Sequence, residues 1–226
     1  MLENFLDTKA KAFIVFLFSA ISLIIFVLST QISVFLFTKW YGIIAGVILM
    51  ILAIPFHIAG RKFNVFYLLS FLINSIANGC SVSAYYVEKN ISFTLYDLVI
   101  SAIPAVAILL LVYLSLQIYS KTKWFSLSSS SVLITILMII AIVFWVKTNS
   151  ALYSFGFFSL LIALFYLGVF GVAINHDERL VLRDISYGSF GSFVILTVIV
   201  VVILSEGSFL DGLDIGGEGK PKNKPK

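Results

Sequence analysis

The sequence predicts an all-α integral membrane protein, built as one bundle of seven transmembrane helices. Of its 226 residues, 61% are hydrophobic and 12% are charged, whereas a soluble domain is about 45–50% apolar and about 25% charged. The charged residues are also placed so that they separate seven uncharged, mostly apolar runs. A membrane-spanning helix needs about 20 such residues, and each run has room for one span but not for two.

The predicted spans cover approximately residues 12–37, 40–60, 63–86, 97–119, 125–146, 151–174 and 185–205. The segments between them are too short to fold separately, so residues 1–205 are predicted to form a single transmembrane domain. Residues 206–226 are rich in Gly, Pro and Lys and have little to bury, which predicts a disordered tail. The composition excludes a soluble domain and a porin-type barrel, whose strands are about 10 residues long and alternate in polarity.

The basic residues alternate along the chain in a way that predicts an orientation. Counted segment by segment before the tail, Lys and Arg number 2, 1, 2, 1, 2, 1 and 2. One side of the membrane therefore collects eight basic residues and the other side three. Because the side richer in Lys and Arg is usually cytoplasmic, the N-terminus is predicted inside and the C-terminus outside.

The third span carries the most informative polar pattern. Four of its polar residues fall near one helical face by the 3.6-residue period, and the first span adds a weaker serine stripe. These candidate intramembrane residues are Ser70, Asn74, Asn78 and Ser81 on the third span, and Ser19 and Ser22 on the first span. An amide buried in hydrocarbon without a partner costs several kcal/mol, so the two asparagines are expected to face protein or water.

Two interpretations of this polar face remain open. It can line a path for a solute, which predicts a small transporter or channel for a neutral or amphipathic solute. It can also hold helices together, which is common in membrane bundles. Close-packing motifs such as Gly42 with Gly46, and Gly188 with Ser192, favour a non-enzymatic accessory or assembly subunit that contacts other membrane subunits. No ionisable residue lies deep in a span, which argues against proton coupling through a carboxylate relay.

The predicted cytoplasmic rim is the chemically richest part of the sequence. Arg61, Arg179 and Arg183 are candidates for contacts with a phosphate or a lipid headgroup. His57, His176 and Asp177 are weak candidates for a metal site, since imidazole and carboxylate suit zinc, but no HExxH spacing is present. This cluster motivates a third hypothesis, a lipid-active enzyme with a site on the cytoplasmic face. Anchoring by charged loops is the simpler interpretation, and neither a catalytic residue nor a cofactor is predicted.

The composition and the charge pattern also predict the partners and the location of the protein. The principal partner is the lipid bilayer, with other membrane subunits as further candidates. The positive net charge does not indicate nucleic-acid binding, because basic residues that flank spans are expected from the orientation rule. Abundant Phe, Ile and Lys beside little Arg are typical of AT-rich bacterial genes, so a bacterial plasma membrane is expected.

Overall fold

The computed structural model describes residues 2–38, 40–118, 123–176 and 178–205, without the side chains of residues 2–7, 123–124 and 178–179. Over these ranges the chain forms seven α-helices and no strand. They are α1 (Leu2–Leu36), α2 (Tyr41–Ala59), α3 (Val65–Glu88), α4 (Leu95–Ile118), α5 (Lys123–Thr148), α6 (Ala151–Ala173) and α7 (Glu178–Leu204). All seven are long and apolar enough to cross a membrane, which confirms the prediction of a multi-pass helical protein. The predicted disordered tail lies outside the described residues.

Polar side chains between the spans cap the N-termini of α4 and α6. Before α4, the Asp97 carboxylate accepts a hydrogen bond from the Thr94 backbone N–H at 2.8 Å, and the Asp97 N–H donates to the Thr94 hydroxyl at 3.3 Å. Before α6, the Ser150 hydroxyl accepts from the Leu152 N–H at 3.3 Å. Such caps satisfy backbone donors that have no partner within the helix, and therefore fix where each span begins.

Helices α3 and α6 form the centre of the bundle. Buried residues make up 61% of the spanning window of α3 and 67% of that of α6, compared with 17% for α5. Helix α3 packs against α1, α2 and α7, while α6 packs against α4, α5 and α7. The polar face of α3 is therefore surrounded by protein, as the cost of burying an amide in lipid requires.

Glycines bring α3 unusually close to two of its neighbours. A Cβ atom added at Gly42 of α2 would lie 2.6 Å from the carbonyl oxygen of Cys80. One added at Gly79 of α3 would lie 2.6 Å from the backbone nitrogen of Thr30 in α1. Helix α3 is thus held against α1 and α2 at backbone distance, as small residues permit in membrane bundles.

Two contacts between sequence-distant residues define one end of the bundle. The Lys11 ammonium donates to the backbone oxygen of His176 at 2.6 Å, and the Gln117 amide donates to the backbone oxygen of Lys9 at 3.1 Å. These bonds join the beginning of α1 to the ends of α4 and α6. We call this the basic end, because the segments richer in Lys and Arg lie there.

Candidate functional site

A continuous row of polar side chains joins α3 to α7, and we call it the α3–α7 seam. Four hydrogen bonds cross between the two helices at intervals of about one helical turn. They are Ser186 to Ser70 at 3.1 Å, Asn74 to Ser189 at 3.4 Å, Asn78 to Ser192 at 3.1 Å, and Thr197 to Ser81 at 3.1 Å. The four residues predicted on the polar face of α3 therefore all lie against one partner helix.

The α3–α7 seam is closed in this conformation. The side chains of Asn74 and Asn78 are fully buried, and so are those of Ser189 and Ser192. Of the eight residues in these four bonds, only Thr197, at the end farthest from the basic end, is partly exposed. In this conformation the asparagines line no solvent-accessible channel, and any path along them requires α7 to separate from α3.

Each asparagine of the α3–α7 seam keeps one polar atom without a partner. The Oδ1 atoms of Asn74 and Asn78 are buried and have no hydrogen-bond partner in the described part of the chain. A buried acceptor left unsatisfied costs about 1–3 kcal/mol. Both amide oxygens can therefore accept a hydrogen bond without breaking an existing one.

The serines of α7 explain why the amides are oriented in this way. Ser189 donates its hydroxyl proton to the backbone oxygen of Ser186 at 2.7 Å, and Ser192 donates to that of Ser189 at 2.9 Å. Both hydroxyls therefore present only lone pairs to α3. The amide NH2 groups of Asn74 and Asn78 must face these lone pairs, which leaves the amide oxygens pointing elsewhere.

His57 of α2 closes the basic end of the α3–α7 seam. Its Nδ1 atom lies 2.8 Å from the Ser186 hydroxyl oxygen. The imidazole is packed among the rings of Tyr67, Tyr187 and Phe190, with centroid distances of 5.1, 4.4 and 5.6 Å. The spacing of His57 and Ser186 is that of a base and a nucleophile. However, Ser186 is fully buried and donates to Ser70, so this pair acts as a link in the polar row.

The serines predicted on the first span occupy a different place. Ser22 lies 3.1 Å from Ser75, on the side of α3 that faces α1, and Ser19 donates to the backbone oxygen of Phe16 at 2.8 Å. Ser33 lies 3.3 Å from the Cys80 sulfur on that same side. The structure therefore separates Ser19 and Ser22 from the asparagines with which they were grouped.

Two of the charged residues predicted at the rim, His176 and Arg183, lie around Asp184, whereas Arg61 is exposed just beyond the end of α2. This carboxylate lies 2.8 Å from His176 Nδ1 and 3.3 Å from an Arg183 guanidinium nitrogen. His57 contacts Ser186 instead, so the two histidines have different partners. Among the described residues, no three His, Cys, Asp or Glu side chains are grouped so that they could hold a metal ion. Asp177 and the side chain of Arg179 lie outside the described part of the chain.

Comparison with protein-family models, with curated proteins and with solved structures finds no match to this chain. The function must therefore be argued from the geometry of the α3–α7 seam and of the basic end. Sequence reasoning identified the α3 half of the seam but missed Ser186 and Ser189 as its partners. Their spacing of three residues along α7, continued by Ser192, was the available signal.

Proposed function

We propose that this protein is a membrane carrier for a small uncharged or amphipathic solute, and that the solute path follows the α3–α7 seam. The two buried, unpartnered amide oxygens of Asn74 and Asn78 are the observation that supports this proposal. They are spaced four residues apart, which is about 6 Å along a helix. A solute that carries hydroxyl or N–H donors would satisfy both oxygens when α7 moves away from α3.

The chemistry of the path suggests the class of solute. The α3–α7 seam offers amide and hydroxyl groups, and His57 at its basic end is its only ionisable member among the described residues. A fully charged solute would lose its hydration without gaining an opposite charge, which is costly in a low-dielectric interior. An uncharged solute with hydrogen-bonding groups exchanges water for amide and hydroxyl partners instead.

Thiol labelling tests whether the α3–α7 seam opens to water. In a Cys80→Ala background, Asn78→Cys and Ser192→Cys each place one thiol in the seam, and each is expected to react with a membrane-impermeant maleimide in proteoliposomes. The unaltered chain is the matched control. Its only cysteine, Cys80, is only two residues from Asn78 but contacts Ser33 on the α1 side. It is expected to stay unlabelled, because α1 and α3 are in backbone contact near Gly79.

The second candidate function is that of an accessory or assembly subunit. The observation that favours it is the pairing of both asparagine NH2 groups with serines of α7, which is how polar residues stabilise membrane bundles. In that case the seam never opens, and neither seam thiol reacts with the maleimide. Unreactive thiols at positions 78 and 192, in variants that remain folded, would overturn the carrier proposal in favour of this one.

We infer that the basic end faces the cytoplasm and that the chain resides in a bacterial plasma membrane. The excess of Lys and Arg in the segments at that end supports the orientation. The abundance of Phe, Ile and Lys beside little Arg supports the bacterial source. We therefore expect an alkaline phosphatase fused after the C-terminus to be active in bacterial cells. A green fluorescent protein fused at the same position, and exported by the same route, is expected to be non-fluorescent. A bright fluorescent fusion with inactive phosphatase would reverse the orientation.

A further inference from the structure

A groove between α5 and α6 opens near the basic end. We call it the α5–α6 groove. It has a volume of about 480 Å³, which lies within the range of about 300–1,000 Å³ typical of small-molecule sites. It is lined by Ser128 and Ser131 of α5 and by Gly168, Gly171, Asn175 and His176, with leucines and a valine completing the walls.

The α5–α6 groove exists because two residues of α6 have no side chain. A Cβ atom added at Gly168 would have no neighbour within 4 Å, and one added at Gly171 would meet only a methyl carbon of Leu127, at 3.7 Å. Close helix packing therefore does not require glycine at either position. This is the opposite of Gly42 and Gly79, which lie against the backbone of a neighbouring helix.

The surroundings of the α5–α6 groove indicate an amphipathic occupant from the membrane. Large apolar side chains beside it are strongly exposed, as shown by Phe125 at 77% and Val132 at 59%, so this side of the bundle faces acyl chains. His176, by contrast, is where α6 leaves the apolar region, and it is held there by Asp184 and Lys11. The groove thus runs from an apolar surface to a polar rim.

A second groove provides a useful comparison. It lies between α1 and α4, has a volume of about 400 Å³, and is lined only by apolar residues such as Leu23, Val99 and Ala107. Such a groove offers acyl chains contact but no hydrogen bond. The α5–α6 groove differs in its hydroxyl, amide and imidazole groups. A serine hydroxyl rotates freely, so Ser131 can exchange its bond to the Leu127 backbone oxygen for a bond to a ligand.

We propose that the α5–α6 groove is a binding site for one glycerophospholipid with an anionic headgroup. The ester and phosphate oxygens accept hydrogen bonds from the hydroxyl and amide groups of the groove, and one acyl chain runs over Gly168. The preference for an anionic headgroup rests on the described charges at the polar end of the groove. Lys11 lies 2.6 Å from the His176 backbone oxygen, and Arg183 lies 3.3 Å from the Asp184 carboxylate that contacts His176, so two cations there face one carboxylate. Basic pockets between transmembrane helices bind anionic headgroups in this way. This proposal goes beyond the carrier function and does not depend on it.

The test fills each groove separately. Gly168→Leu inserts a side chain into empty space in the α5–α6 groove, and Ala107→Leu does the same in the apolar α1–α4 groove, so both variants are expected to fold. Purified protein is loaded with phosphatidylglycerol or with phosphatidylcholine and washed with detergent. Native mass spectrometry then measures how many lipid molecules remain bound to each protein. The unaltered chain and Ala107→Leu are expected to retain one phosphatidylglycerol, whereas Gly168→Leu loses it.

Several outcomes would overturn the proposal. Equal retention by Gly168→Leu and the unaltered chain would show that the α5–α6 groove is not the site. Equal loss from Ala107→Leu would show a general lipid coat, and equal retention of phosphatidylcholine would remove the anionic preference. If Gly168→Leu does not fold, the double variant Ser128→Ala, Ser131→Ala keeps the test valid. It leaves the groove open, and it is expected to retain less phosphatidylglycerol than the unaltered chain; unchanged retention would contradict the proposed hydrogen bonds.

Discussion

Replacing Gly79 with alanine is expected to destabilise the bundle by about 2–3 kcal/mol, although it adds a single methyl group. The added Cβ would overlap the Ser29 hydroxyl and lie 2.6 Å from the backbone nitrogen of Thr30. The serine hydroxyl can rotate away, but the Thr30 nitrogen cannot move unless α1 moves with it. Overpacking of this kind outweighs the gain in helix propensity, which is about 1 kcal/mol for a change from glycine to alanine.

The measurement is the apparent free energy of unfolding in mixed detergent micelles, followed by circular dichroism. Gly156→Ala is the matched control, because its added Cβ would approach no atom closer than the Ser101 backbone oxygen, at 3.6 Å. The control is expected to be as stable as the unaltered chain or slightly more stable. Equal stability of the Gly79 and Gly156 variants would contradict the close approach of α1 and α3.

The two sides of α3 differ in a way that bears on how the bundle could move. On the side of α1 and α2 it is held by backbone contact at Gly79 and Gly42. On the side of α7 it is held by hydrogen bonds between side chains such as Asn78 and Ser192. Packed backbones have few alternative arrangements, whereas interhelical hydrogen bonds in membranes contribute only about 0.6 kcal/mol each on average. Separating α7 from α3 is therefore expected to cost less than separating α1 or α2 from α3.

The sequence was sufficient to predict the spans and the polar face of α3, because both depend on local periodicity. Seven uncharged runs of membrane length leave little choice of architecture, and the cost of burying an amide in lipid requires Asn74 and Asn78 to face protein or water. It was not sufficient to predict which helix lies opposite that face. Ser22 and Ser189 look alike as intramembrane serines, yet the first lies toward Ser75 on the α1 side and the second bonds Asn74.

The α5–α6 groove was also beyond sequence reasoning, for a related reason. Glycines in membrane helices are associated with close packing, and Gly42 and Gly79 fit that association because another backbone lies against them. Gly168 is likewise a glycine inside a membrane-spanning helix, but it faces empty space. The difference depends on the distance to a neighbouring helix, which no local pattern records.

The double variant Asn74→Leu, Asn78→Leu is expected to abolish solute flux and leave stability within about 1 kcal/mol of the unaltered chain. Two amide–serine hydrogen bonds are lost, but two unpartnered oxygens are removed as well. The Ser189 and Ser192 hydroxyls stay satisfied, since both donate to backbone oxygens of α7. Leucine removes the two buried amide oxygens that have no hydrogen-bond partner in the described part of the chain, and that a passing solute is expected to use.

Flux is measured as the osmotic swelling of proteoliposomes in a graded set of uncharged solutes, from urea to erythritol. The unaltered chain is expected to exceed protein-free vesicles for at least one solute, and the double variant to match them. Asn64→Leu is the control for loss of an amide, because Asn64 is exposed at the beginning of α3 and caps no backbone group there. Flux that survives in the double variant would move the path away from the asparagines. A double variant that loses both stability and flux would show that these amides stabilise the bundle, so that Asn74 and Asn78 would be structural residues alone.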